Sequence, residues 1–144
     1  MKPSVLKFLQ SRRGNLVAAM AKLPRKRPGK EEHYLQCGCV RWFRAQWPGL
    51  SKQLAAVPNG GRRDAITGAN LKDEGVVAGV ADLILAQRNK RYGALAIEMK
   101  TPTGRQSKSQ KDWQKAVEAG GWRYVVCRSL DDFMREVNDY LADR

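Results

Sequence analysis

The chain has 144 residues and carries 27 Lys and Arg against 14 Asp and Glu, a formal net charge of +13. That length supports one domain around one hydrophobic core. The charge calls for a polyanionic partner, most simply nucleic acid, ahead of a membrane surface, since no strongly amphipathic basic helix with an aromatic face stands out. No apolar run approaches the roughly 20 residues of a membrane-spanning helix, residues 16–21 are too short for a secretory core, and three cysteines make no disulfide framework. The chain therefore reads as intracellular.

Residues 1–30 form a basic, proline-punctuated extension, either an arm on phosphates or a solubilising tail; Met20 is an alternative start. Residues 31–46 predict a helix, with Leu35, Cys39, Trp42 and Phe43 on its buried stripe. Glu32 stands near its start, where an acid also complements the helix dipole. His33 and Cys37 share a face at zinc-ligand spacing, but no second pair accompanies them, and buried cysteines are the simpler reading. Gln53–Val57 predicts a short strand closed by the turn Pro58-Asn59-Gly60-Gly61. Residues 62–73 predict a helix stopped at Gly75. Two central strands follow, near 81–87 and 93–100, joined by a polar connection. A helix from Ser107 or Ser109 to Ala119 directs Trp113, Ala116 and Val117 inward. Residues 122–127 form another buried strand. Ser129 caps a last helix to Leu141, with Phe133, Met134, Val137, Tyr140 and Leu141 on its apolar face. Trp42, Trp113 and Trp122 read as core rather than as stacking platforms for bases.

The chemistry concentrates where the central strands carry charge. Residues two apart in a strand share a face, so Glu98 and Lys100 project together while Ile97 and Met99 project the other way. Asp82 opens the neighbouring run. Two carboxylates beside an ammonium suit a hard divalent cation such as Mg²⁺, with the lysine orienting or deprotonating a water that attacks a phosphodiester. A plain cross-strand ion pair, with Asp82 as a turn residue, is the competing reading of the same three residues.

Taken in order, these pieces resemble the VRR-NUC domain (virus-type replication-repair nuclease), a branch of the PD-(D/E)xK nuclease superfamily, over residues 31–142. Glu32, with Leu35 and Gln36, resembles the opening helix acid, and Pro58-Asn59-Gly60-Gly61 the turn after the first strand. Gly75 through Asp82 resembles the approach to the metal-binding aspartate, although Ala81-Asp82 stands where many members have Pro-Asp. Glu98-Met99-Lys100 matches Glu-x-Lys, and Gln110 the functional glutamine of the next helix. The resemblance implies an α/β, restriction-endonuclease-like core: a small mixed sheet flanked by helices. It implies cleavage of DNA with Mg²⁺ or Mn²⁺, in standalone members as homodimers acting on branched DNA such as Holliday junctions. Asp82, Glu98 and the Met99 carbonyl would hold the metal, with Glu32 binding directly or through water. Lys100 would act on the water, and Gln110 would position Lys100, the water or the phosphate. Arg62, Arg63, Arg105, Lys108 and Lys111 flank this site as phosphate contacts or as a solvated basic face. The setting would be the cytoplasm of a bacterial or phage-infected cell. The chief alternative is a basic DNA-binding module of the same fold that has lost cleavage.

Overall fold

The computed structural model describes residues 30–58 and 65–144. The expected Asn59-Gly60-Gly61 turn, Arg62, Arg63 and the extension before residue 30 lie outside the described residues. The elements are α1 (Glu31–Gln46), β1 (Leu54–Ala56), α2 (Ala65–Asp73), β2 (Leu83–Leu85), β3 (Leu95–Met99), α3 (Lys108–Ala119), β4 (Arg123–Cys127) and α4 (Leu130–Ala142). The sheet runs in the order β1-β2-β3-β4. Its first two pairings are antiparallel and β3 lies parallel to β4, with α3 as the crossover.

Every residue of β3 is buried. A central strand covered on both faces reads as a continuous apolar run, and this one does except at Glu98. Leu95, Ile97 and Met99 join the larger core, built with Cys39, Trp42 and Phe43 of α1 and Phe133, Val137, Tyr140 and Leu141 of α4. The Trp42 and Phe133 rings meet edge to face at 5.9 Å, a favoured aromatic geometry. Ala96 faces the other way, into a smaller cluster with Ala81 and Tyr124 against which Trp113, Val117 and Trp122 pack. Strand alternation therefore sends Glu98 toward the α3 side.

Helix ends follow their local chemistry. Ser107 Oγ accepts from the Gln110 N–H and the Gln110 side chain accepts from the Ser107 N–H, a complete capping box at the start of α3. Ser129 Oγ accepts from the Asp132 N–H at 3.0 Å and starts α4. At the far end of the sheet, Asn89 Oδ1 accepts from the N–H groups of Arg91 and Tyr92, and its Nδ2 donates to the Tyr140 carbonyl. That closes the β2–β3 connection onto α4.

Two expectations need correction. The central strands are shorter than 81–87 and 93–100, spanning Leu83–Leu85 and Leu95–Met99, and β2 begins late because Asp82 leaves the ladder. Its side-chain Oδ2, not a backbone carbonyl, takes the Met99 N–H at 2.8 Å, while its own carbonyl accepts from Val57 N–H. Ala116 is exposed, since the packed stripe of α3 is set by Trp113 and Val117, four apart.

Gly79 shows how closely the segment before Asp82 is seated. It has φ +84°, and a Cβ there would stand 2.2 Å from the Ser109 carbonyl oxygen and 2.6 Å from Gln110 N. Gly75 shares a positive φ, +98°, but a Cβ there meets nothing within 4 Å. Gly75→Ala should therefore cost only the conformational term, about 1–2 kcal/mol. Gly79→Ala should cost clearly more, upward of about 3 kcal/mol, because backbone must move. Urea denaturation of both variants checks this, and equal losses would show that Gly79 is not a contact point for α3.

Candidate active site

Asp82, Glu98, Lys100 and Gln110, predicted from the sequence, come together where β2 begins and β3 ends. Asp82 is half-buried at the bend before β2 and fixed by the Met99 N–H. Glu98 is 1% exposed. Its Oε1 accepts from Gln110 Nε2 at 2.7 Å and faces Lys100 Nζ at 3.3 Å. Lys100 follows β3 and donates its N–H to the Cys127 carbonyl at 3.0 Å, with a side chain only 12% exposed.

Gln110 has no freedom of orientation. Its Oε1 accepts from Ser107 N at 2.8 Å, so its amide nitrogen must be the group that donates to Glu98. The start of α3 and the Glu98 carboxylate are thereby held by one side chain.

The two carboxylates strain each other electrostatically. Burial raises the Glu98 pKa from its ordinary 4.5 to about 7, the Asp82 charge adds to the rise, and Lys100 only partly offsets it. Asp82 is raised as well, first by burial; the Met99 N–H and Lys100 oppose that shift, while Glu32 adds to it. Fully ionised, the pair would carry more negative charge than one ammonium neutralises, so the folded chain keeps a proton there up to near-neutral pH, and a divalent cation is a group that could take its place.

Glu32 is placed differently. It sits in the first turn of α1, exposed, with its Oε1 near the Thr101 N–H at 3.3 Å. It lines a cleft of about 610 Å³ together with Asp82, Met99, Val57, Arg41 and Arg44. Among the described residues no three His, Cys, Asp or Glu side chains form a ready-made metal cage. Mg²⁺ characteristically takes one or two protein carboxylates and keeps its waters. An adjacent Asp–Glu pair with an oxygen-only donor set fits that requirement, and Glu32 stands at the mouth of the same cleft.

Sequence reasoning missed three further residues. The Tyr124 hydroxyl accepts from Gln106 Nε2 at 3.2 Å and donates to Glu98 Oε2 at 3.4 Å. Arg128 Nη1 donates to the carbonyls of Thr101 and Gly104, at 2.7 and 2.6 Å, in the loop after Lys100. Arg44 lies on the cleft one helix face along from Glu32; its place on a predicted helix, twelve residues on, was the available signal.

The expected phosphate contacts are less uniform. Arg105, Lys108 and Lys111 are exposed, but Lys108 pairs with Asp112 at 2.7 Å within α3. His33 Nε2 and Cys37 Sγ are 3.7 Å apart on α1, as their spacing requires. Cys39 and Cys127 are buried, and burial raises both thiols, Cys127 to about 12. Trp42 is buried, and Trp113 packs edge to face on Trp122 at 6.3 Å. No helix among the described residues is long and apolar enough to cross a membrane.

The Glu98 shift has a defined sign for stability. The unfolded carboxyl ionises near 4.5 and the folded one near 7. Between those values the folded chain holds a proton that the unfolded chain has lost, so stability falls as pH rises through that window. Denaturation midpoints in chelator should show this decline for the native chain and a shallower one for Glu98→Gln. Added Mg²⁺ should restore the native chain above about pH 7 and leave the variant nearly unchanged, by preferential binding to the ionised folded form. Equal pH slopes for both proteins would remove Glu98 as the source.

The VRR-NUC domain family model matches residues 18–131. A solved structure described as a VRR_NUC domain protein superposes with a TM-score of 0.70 at 23% identity, covering 81% of this chain and 93% of that one, which shows a shared fold. No curated protein matches the chain. With a family match across most of its length, and with the mixed sheet and flanking helices that match implies, the chain belongs to the VRR-NUC nuclease family.

Proposed function

We propose that the protein is a DNA endonuclease that works with Mg²⁺ or Mn²⁺ and prefers branched DNA, with Holliday junctions as the first substrate to try. The observation that carries this reading is Glu98: a carboxylate buried in a fully covered strand, beside Asp82, and gripped by Lys100 and Gln110. A buried ion pair is weak support for stability, and burying a second acid against the first adds only repulsion. Such a cluster is better explained by chemistry than by folding.

Asp82, Glu98 and the Met99 carbonyl would hold the cation, with Glu32 reaching it directly or through water. A bound divalent ion would supply Lewis acidity and a water ionised near neutral pH. The remaining work falls to the chain. Lys100 Nζ orients the attacking water and stabilises charge gathering on the phosphorus centre. Gln110 fixes the Glu98 carboxylate, and through it the place of Lys100. The surplus of basic residues draws in the DNA, with Arg44 on the cleft and Arg105, Lys111, Arg62 and Arg63 as phosphate contacts. The nuclease unit would take in residues 31–142, with the basic extension before it as an arm on phosphates or a solubilising tail. A two-fold homodimer would present two such sites for paired cuts.

Labelled four-way junctions, flaps, nicked and linear duplexes incubated with Mg²⁺ or Mn²⁺ test this. Lys100→Ala and Asp82→Ala should each slow cleavage by about 100-fold or more and leave DNA binding in place. Variants that cut as fast as the native chain would refute the assignment. Steeply salt-dependent binding without any product would select the cleavage-free binding module instead.

A further inference from the structure

We propose that Arg128 is a positioning residue of this site, whose guanidinium fixes the loop 101–104 and thereby sets how Glu32 approaches the Asp82–Glu98 pair. The inference rests on the metal-dependent reading above and assigns a role to a residue outside every expected motif.

Arg128 is the first residue beyond β4, and β4 runs parallel to β3, so the ends of the two strands lie together. The Lys100 N–H donates to the carbonyl of Cys127, Arg128's neighbour, at 3.0 Å. Arg128 is anchored from behind by its own N–H, which donates to Asp132 Oδ2 at 3.0 Å in the first turn of α4. From there Nη1 reaches across to Thr101 O at 2.7 Å, Gly104 O at 2.6 Å and Pro102 O at 3.4 Å. All three acceptors are main-chain carbonyls of one short loop. Charge-assisted bonds to neutral carbonyls order backbone without cancelling the charge that makes them strong.

The clamped loop is the contact between two functional residues from distant parts of the chain. Its Thr101 N–H faces Glu32 Oε1 at 3.3 Å. Gly104 N–H donates to Thr101 Oγ1 at 3.0 Å, which tightens the same turn. A Cβ on Gly104 would stand 3.0 Å from Thr101 Oγ1, 3.4 Å from Lys100 Cδ and 3.5 Å from Glu32 Oε1. The loop therefore touches the lysine stem and the α1 carboxylate at once. Glu32 in turn lines the same cleft as Asp82. All three contacts come from Nη1, one bond farther along the side chain than a lysine Nζ, so a lysine at this position falls short of the carbonyls that the guanidinium reaches.

The test separates this role from simple loop stability by a double-mutant cycle read in metal affinity. Mn²⁺ is titrated calorimetrically at neutral pH into the full chain and into Arg128→Lys, Glu32→Gln and the double variant. Arg128→Lys should weaken Mn²⁺ binding about 10-fold, as loss of a residue supporting a ligand does. It should also lower kcat while KM for DNA stays within about twofold. In the Glu32→Gln background the same change should alter Mn²⁺ affinity by less than about twofold, because the two residues act in series. Arg128→Gln, whose amide stops short of the loop carbonyls, should reproduce the pattern and stands in for Arg128→Lys if that variant does not fold. Equal losses with and without Glu32, or no loss at all, would overturn the role of Arg128 and leave the proposed nuclease intact. A native chain that neither binds Mn²⁺ nor cuts DNA would overturn both.

Discussion

A carboxylate in the middle of a sheet covered on both faces is the constraint around which this molecule is arranged. Glu98 is as buried as Met99 beside it in β3, and a bare charge there would be prohibitive. The surroundings answer it from three directions: Lys100 from just beyond the same strand, Gln110 from the first turn of α3, and Tyr124 from the parallel neighbour β4. Asp82 then adds a second acid that these partners do not balance. The fold delivers a buried acidic pair inside a protein whose total charge is strongly positive. Those two signs serve different ranges. Under the proposed function, the broad positive field would gather a polyanion from a distance, within the reach that salt allows, and the buried acidic pair would draw a small cation to one point.

The geometry that makes the pair is a departure from regular structure. A β2 strand that continued through residue 82 would bond Met99 N–H with a carbonyl. Here the Asp82 side chain takes that N–H, and the strand ends. The carboxylate is pinned by backbone, close to Glu98, at the place where the ladder opens. Gly79 allows the preceding segment to lie against the first turn of α3, so the aspartate and the glutamine are brought to the glutamate by the same contact.

Much of this was readable from residue order. Alternation alone put Glu98 and Lys100 on one face, because a two-residue period leaves no other choice. The caps at Ser107 and Ser129 follow from side-chain chemistry within three residues, and so do the helix starts. Glu32 and Gln110 were visible only through family likeness, since their partners lie 69 and 12 residues away. Arg128 and Tyr124 left no signal: an arginine bonded to main-chain carbonyls selects no partner residue type, and a tyrosine in an apolar strand looks like core. The strand limits were misjudged for a related reason. An aspartate that replaces a ladder carbonyl is indistinguishable, in sequence, from one that begins a turn.

Gln110 illustrates how two rules can meet in one side chain. For a helix start alone, glutamate and glutamine serve equally at the third position, because either offers an oxygen to the capping N–H. Here that oxygen is already committed to Ser107, and the other end of the group faces a carboxylate. An acid would complete the cap and at the same moment aim a second lone pair at Glu98. The neighbouring strand, not the helix, therefore decides between two otherwise interchangeable letters, and selection on catalysis would register as a preference in what looks like a routine helix terminus.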